Sequence, residues 1–206
     1  GYATYDFDEK QEMTCFIPEK EGWIQNDLLY RNDIGTFSAV AIRSNVLRLV
    51  GGCDERFCCF HDGDLYVRIA EVAKIAFVKE KLSHVRTSNK DRLSLNLQAK
   101  LDSAQLFWEK HKEMINKNCR LRHRAASRVF LYSFQLKNWE CAYKALPWTL
   151  AGWLIDIPNS LFLFRAIMSS IYPKKVKIYK KYLNLIRQTF HVFMYGKRQA
   201  GMKTRA

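Results

Sequence analysis

The sequence predicts an α/β fold: the C-terminal part of a mixed sheet with flanking helices, followed by an all-helical tail. Three observations lead there. Up to about residue 116, short apolar runs bounded by turn residues alternate with helical periodicities. Beyond that point only helical periodicities follow, with prolines at their joints. A hydrophobic share of 48% supports a packed core in a chain of 206 residues. The expected organisation is a sheet-containing domain over residues 1–116, a basic helical tail over 117–195 and a frayed polar terminus over 196–206.

Residues 2–7 alternate weakly, residues 14–17 read as a second short strand, and Asp8-Glu9-Lys10-Gln11 between them suits a turn. Residues 37–43 are apolar and bounded by turn signals, as a buried strand requires. Ser44 can cap a short helix that Gly51 ends. Asp62 stands at the start of a second helix, with Leu65, Ile69, Val72 and Ala73 on one face. Strand character returns at 74–78 and again at 82–85. A long helix is expected over 94–116, its inner stripe formed by Leu97, Leu101, Ala104, Trp108 and Ile115. Further helices are expected over 123–136, 139–146, 150–157, 159–172 and 176–193, with Pro147, Pro158 and Pro173 at the joints.

The charge is +14, from 34 Lys and Arg against 20 Asp and Glu. Such a balance favours anionic partners. From Asn116 onward Glu140 and Asp156 are the only acids. No RNP-like aromatic-basic string and no zinc spacing are present, so nucleic acid is not the expected partner, although a basic nucleic-acid-binding domain stays as an alternative. The five histidines show no metal-ligand spacing, and no metal site is assigned to this chain. Six scattered cysteines in apolar context read as buried, reduced thiols, which points to the cytosol. The first residues read as a strand already under way, so the chain is expected to be a fragment of a longer protein.

Residues 146–171 are apolar and long enough to test as a membrane segment. Asp156, Pro158, Asn159 and Arg165 interrupt it, and a charge at mid-depth costs about 2.5 to 3.5 kcal/mol. A buried helical pair is the leading expectation, an interfacial helix the next and a span the last. The lysines at 174, 175, 177, 180 and 181 would suit an anionic membrane surface or a solvated helix face.

The chemistry-bearing stretch is Gly51-Gly52-Cys53-Asp54-Glu55, followed by Phe60-His61-Asp62-Gly63-Asp64-Leu65 and Arg68. By residue type alone, Asp62 is a good helix cap, Asp64 suits the first turn and Asp54-Glu55 suits a turn. The order and spacing resemble the acceptor-side signature of family-2 glycosyltransferases, roughly GGFDE…F-x-E-D-x-D-L-x-x-R. The segments at 32–43 and 74–78, with Arg86 and Ser94, add to that resemblance, which covers about residues 1–115. It implies the acceptor-side part of a GT-A domain, with a nucleotide-sugar donor, transfer with inversion, and a glycan, lipid-linked or protein acceptor. Asp62 matches the family's general base. Gly51, Gly52, Asp54, Glu55, His61, Asp64 and Arg68 would support the acceptor site, and His84 and Arg86 are candidates for the diphosphate side. Two positions depart from the pattern: Cys53 replaces a Phe and is expected to pack, and His61 replaces a Glu. The family's divalent cation, Mg or Mn, is expected in the intact protein on ligands outside this chain. Asp6-Phe7-Asp8 matches the family's metal string but reads as part of a hairpin. The resemblance implies work in the cytoplasm, peripheral on the inner face of a membrane. The alternative is a non-catalytic glycosyltransferase-like module that binds a membrane or a partner.

Overall fold

A computed structural model describes the backbone of residues 2–6, 11–86 and 95–171, and side chains within 15–85 and 95–171. Helix predominates, and this corrects the expected α/β class. The α-helices are α1 (Gln25–Tyr30), α2 (Ser44–Val50), α3 (His61–Val72), α4 (Leu97–Lys110), α5 (Lys112–Lys117), α6 (Cys119–Gln135), α7 (Trp139–Ala151) and α8 (Ile157–Ile171). Among the described residues strand is confined to three short pieces, β1 (Tyr2–Asp6), β2 (Gln11–Phe16) and β3 (Ser83–Arg86). β1 runs antiparallel to β2 and parallel to β3. These strands are not the platform of the fold, because the described core lies between helices. The chain divides into two compact units, Gly1–Ser160 and Leu161–Ala206.

Two of the segments expected as strands explain the correction. Residues 37–43 begin as a 3-10 turn, Phe37–Ala39, and continue extended at Val40 (φ −124°, ψ 136°) without a strand partner among the described residues. Residues 74–78 contribute one bridge, in which Ile75 and Gly22 exchange N–H···O bonds of 2.7 and 2.9 Å. Apolar alternation reports a surface able to be buried, but a strand also needs a neighbour for its N–H and C=O groups.

The main core joins Ile24, Leu28 and Leu29 around α1 to Tyr66, Val67 and Ala70 of α3, Phe107 of α4, Ile115 of α5, and Leu121 and Ala125 of α6. A second cluster joins Leu101 and Ala104 to Val129 and Ala145. On α3, Leu65 and Ile69 are buried as expected, while Val72 at the last turn is exposed. The long helix expected over 94–116 is two helices that break at His111 (φ −107°, ψ 19°); Ser94 lies outside the described residues.

Asn118 and Asn138 cap α6 and α7, each side-chain oxygen accepting N–H bonds from the first turn. α7 runs through Pro147, so that proline is not a joint. No helix covers 150–157. Instead α7 ends at Gly152, whose carbonyl accepts from the N–H of Ile155 and Asp156, both at 3.0 Å. α8 then starts with Pro158 in its first turn, where a missing N–H is harmless. The helix expected over 176–193, the lysines after 173 and the terminus lie outside the described residues. Among the described residues, no helix is long and apolar enough to cross a membrane. None of the six cysteines is in a disulfide, but only Cys59 is buried. Cys53 is exposed, not packed as expected.

Candidate functional site around the start of α3

Gly51 closes α2 in the left-handed region (φ 78°), and Gly52 repeats it (φ 72°), a pair of conformations that favours glycine. Arg68, two turns into α3, clamps this turn by donating to the carbonyls of Val50 and Gly52. The same guanidinium meets Asp64 Oδ2 at 2.9 Å through Nε. Asp64 has no accessible surface, and every charge partner it needs is present. Lys110 Nζ bridges Asp64 Oδ2 at 2.9 Å and Asp54 Oδ2 at 2.7 Å. His111 Nε2 lies 3.0 Å from Asp64 Oδ1. Asp54 in turn accepts from Arg56 through Nε at 2.9 Å and through a terminal nitrogen at 2.8 Å.

These contacts decide the protonation of both carboxylates. Burial pushes Asp64 up, but hydrogen bonds from His111, Lys110 and Arg68 outweigh it and hold the carboxyl below its ordinary range. Hydrogen bonds from Arg56 and then Lys110 hold Asp54 far below that range. A carboxylate so thoroughly neutralised is a weak proton acceptor. Asp54, Asp64 and Arg68 therefore act as a structural clamp, with Gly51 and Gly52 as its turn; Glu55 is exposed beside it.

Asp62 has different surroundings. It is not the helix cap: Phe60 holds that position in the left-handed region (φ 60°), rare for an aromatic residue. The Phe60 ring stacks on Tyr132, and the preceding Cys59 N–H donates to Ser103 Oγ at 3.0 Å. That turn leaves His61 and Asp62 as the first residues of α3. Asp62 is half-buried, and among the described residues it makes no ion pair. Its Oδ1 accepts from the Gly63 N–H at 2.7 Å and its Oδ2 from Asn32 Nδ2 at 3.3 Å. Asn32 is itself held, its Oδ1 accepting from the N–H groups of Ile34 (3.1 Å) and Gly35 (2.9 Å). His61 is half-buried with its ring 5.4 Å from that of Phe37, which also meets Tyr66 edge-on at 5.7 Å.

A cavity of about 710 Å³ opens near this group, lined by Asp33, Ile34, Tyr66, Ile69 and parts of 39–43 and 73–78. Asp62 does not line it. It stands one helical turn before Tyr66 and touches Asn32, the neighbour of Asp33. Burial, and then the charge of Asp62, pushes the Tyr66 phenol well above its ordinary range. His84 and Arg86 sit on β3 opposite Ala3 and Tyr5. His84 is exposed, the Arg86 side chain is outside the described residues, and the clamp is built without either.

Spacing did not point to Asn32, Lys110 or His111, because the contacts that recruit them span 30 to 47 residues. Only Asp64 and Arg68, four apart on a helix, were legible as a pair. A second polar group, also unread in the sequence, links α1, α6 and the start of α8. The Tyr30 hydroxyl donates to Asp156 Oδ1 at 2.9 Å, and Ser160 Oγ lies 3.2 Å from His123 Nε2. Ser160, His123 and Asp156 are all buried, and the Ser160 hydroxyl also meets the carbonyls of Trp153 and Asp156. Burial lowers the His123 imidazole. A buried serine occupied by its own helix is a packing element and not a nucleophile.

Among the described residues, no three His, Cys, Asp or Glu side chains converge as metal ligands must. The nearest arrangement, Asp54 with Asp64, already holds the Lys110 ammonium between its oxygens. No set of side chains among the described residues fits the divalent cation that the resemblance implies. No family model, curated protein or solved structure matches the chain.

Proposed function

We propose that this chain supplies the acceptor side of a sugar-transfer site, with Asp62 as general base. The observation that carries this reading is the contrast among three neighbouring aspartates. Two are neutralised by Arg56, Arg68 and Lys110, while the third is half-exposed and contacted only by neutral donors among the described residues. A base must be ionised and still able to take a proton. Asp62 alone of the three has no cation on its carboxylate among the described residues, and it is the residue that the motif resemblance assigns to this role.

In this reading the acceptor oxygen attacks the anomeric carbon of a nucleotide-sugar as the bond to the diphosphate breaks. The bonding pair leaves with the diphosphate, and the acceptor proton passes to the Asp62 carboxylate. Asn32 steadies one carboxylate oxygen, leaving the group aimed by two hydrogen bonds and not by a cation. The donor and the charge that stabilises its leaving group are supplied by other residues. The acceptor is a glycan, lipid-linked or protein hydroxyl, and the reaction belongs on the cytoplasmic side, where thiols such as these stay reduced.

The test is nucleoside diphosphate release by the full-length protein with a panel of nucleotide-sugars. Asp62→Asn is expected to lose about 10²- to 10⁴-fold in turnover while donor binding and thermal stability persist. Turnover near wild type would remove Asp62 from the role.

A further inference from the structure

We infer that the turn joining α7 to α8 docks this protein on the surface of an anionic lipid bilayer, independently of the sugar-transfer reading. Around this turn the usual partition of side chains is inverted. Leu154 is 85% exposed, and Trp148, Leu150, Trp153, Ile155 and Ile157 are exposed with it. Asp156, Asn159 and Ser160, interleaved with them, are buried. The inversion is held in place by specific bonds. Asp156 accepts from Tyr30, Asn159 accepts from Arg124 and donates to Ser127 Oγ at 3.0 Å, and Ser160 meets His123. These polar pins turn the apolar side of the segment outward as a formed surface. A cluster of exposed apolar side chains within ten residues of chain, Trp148 to Ile157, is the kind of surface that marks an interaction site.

Charge selects the occupant. Among the described residues from Asn116 to Ile171, eight Lys and Arg stand against two acids, Glu140 and Asp156. Asp156 is buried, so Glu140 is the exposed acid among the described residues of that stretch. The Arg122 guanidinium lies 4.8 Å from the Trp148 ring, which puts a cation beside the patch. A second copy of the chain would bring the same positive field against itself, whereas an anionic headgroup layer is complementary to it. Tryptophans flanked by aliphatic side chains and Arg or Lys are the composition that settles at the headgroup level. Among the described residues no helix is long enough to cross a bilayer, so the contact is shallow.

The experiment is co-sedimentation of the full chain with phosphatidylcholine vesicles, with and without about one lipid in three replaced by phosphatidylglycerol. Wild type is expected to partition at least about tenfold more strongly onto the anionic vesicles and to release as salt is raised. The Leu154→Glu/Ile155→Glu variant, altered at exposed positions, is expected to lose about tenfold or more of that binding with its circular dichroism unchanged. Leu49→Glu, an exposed position on α2, serves as the control and is expected to bind as wild type. Equal binding by wild type and the double variant would overturn the inference, as would absence of vesicle binding by wild type. A change in the chain's solution mass caused by the double variant, without vesicle binding by wild type, would assign the patch to self-association and overturn it too.

Discussion

Three aspartates within eleven residues do three different jobs, and their neighbours decide which. Asp54 locks a turn through Arg56, Asp64 anchors the clamp under the glycine pair, and Asp62 is left with neutral donors. Removing the buried charge of Asp64 would leave Lys110 and Arg68 without their shared partner. Asp64→Asn is expected to cost about 3 to 5 kcal/mol in urea denaturation at neutral pH. The pH dependence follows from the direction of the shifts. Folded Asp54 and Asp64 titrate below their unfolded value of about 3.9. Their stabilisation is therefore complete above that value and is lost as pH falls through it toward the folded values. Wild type is expected to destabilise progressively below about pH 4, and Asp64→Asn to show a flatter acid limb. An identical acid limb in both would separate Asp64 from the clamp. At this scale the sequence showed Asp64 and Arg68 as helical neighbours. It could not show Lys110 and His111, which arrive from another helix.

At the scale of elements, helical periodicity was the legible part. The N-caps Phe60, Asn118 and Asn138 were not among the readings, whereas the end of α2 at Gly51 and the helical runs that became α3, α6 and α7 were readable. The tail's joint was not, because a contact between distant helices sets it. The His123 ring packs against Gly152, where an added Cβ would lie 2.1 Å from the ring Cγ. Pro147, the residue that usually marks such a joint, sits inside α7. Gly152→Ala is expected to cost about 1 to 3 kcal/mol by overpacking, read as a lower melting temperature. Combined with His123→Gly it should cost less than the two single changes added, since the ring and the Cβ that the new methyl would strike, at 2.1 and 2.2 Å, are then both gone. Strict additivity would mean that the two residues do not meet.

For the whole molecule, the expected sheet and the observed helical body differ for one physical reason. Residues 37–43 and 74–78 carry the apolar content of strands, but pairing depends on a neighbour that local pattern does not specify. Helices satisfy their backbone within the segment, so helical periodicity is more readily cashed out in structure. The candidate site rests on the start of α3 and the loop before it, not on a sheet. The basic second half and the exposed α7–α8 turn likewise concern a surface, and the vesicle measurement belongs to this scale. The most direct test of the central claim compares diphosphate release from nucleotide-sugars by the full-length wild type, Asp62→Asn and Asp54→Asn, with melting temperatures measured alongside. The account predicts that Asp62→Asn loses about 10²-fold or more in turnover at unchanged melting temperature, while Asp54→Asn lowers the melting temperature and keeps most of its turnover per folded molecule. Asp62→Asn turning over like wild type, with Asp54→Asn inactive yet folded, would contradict it.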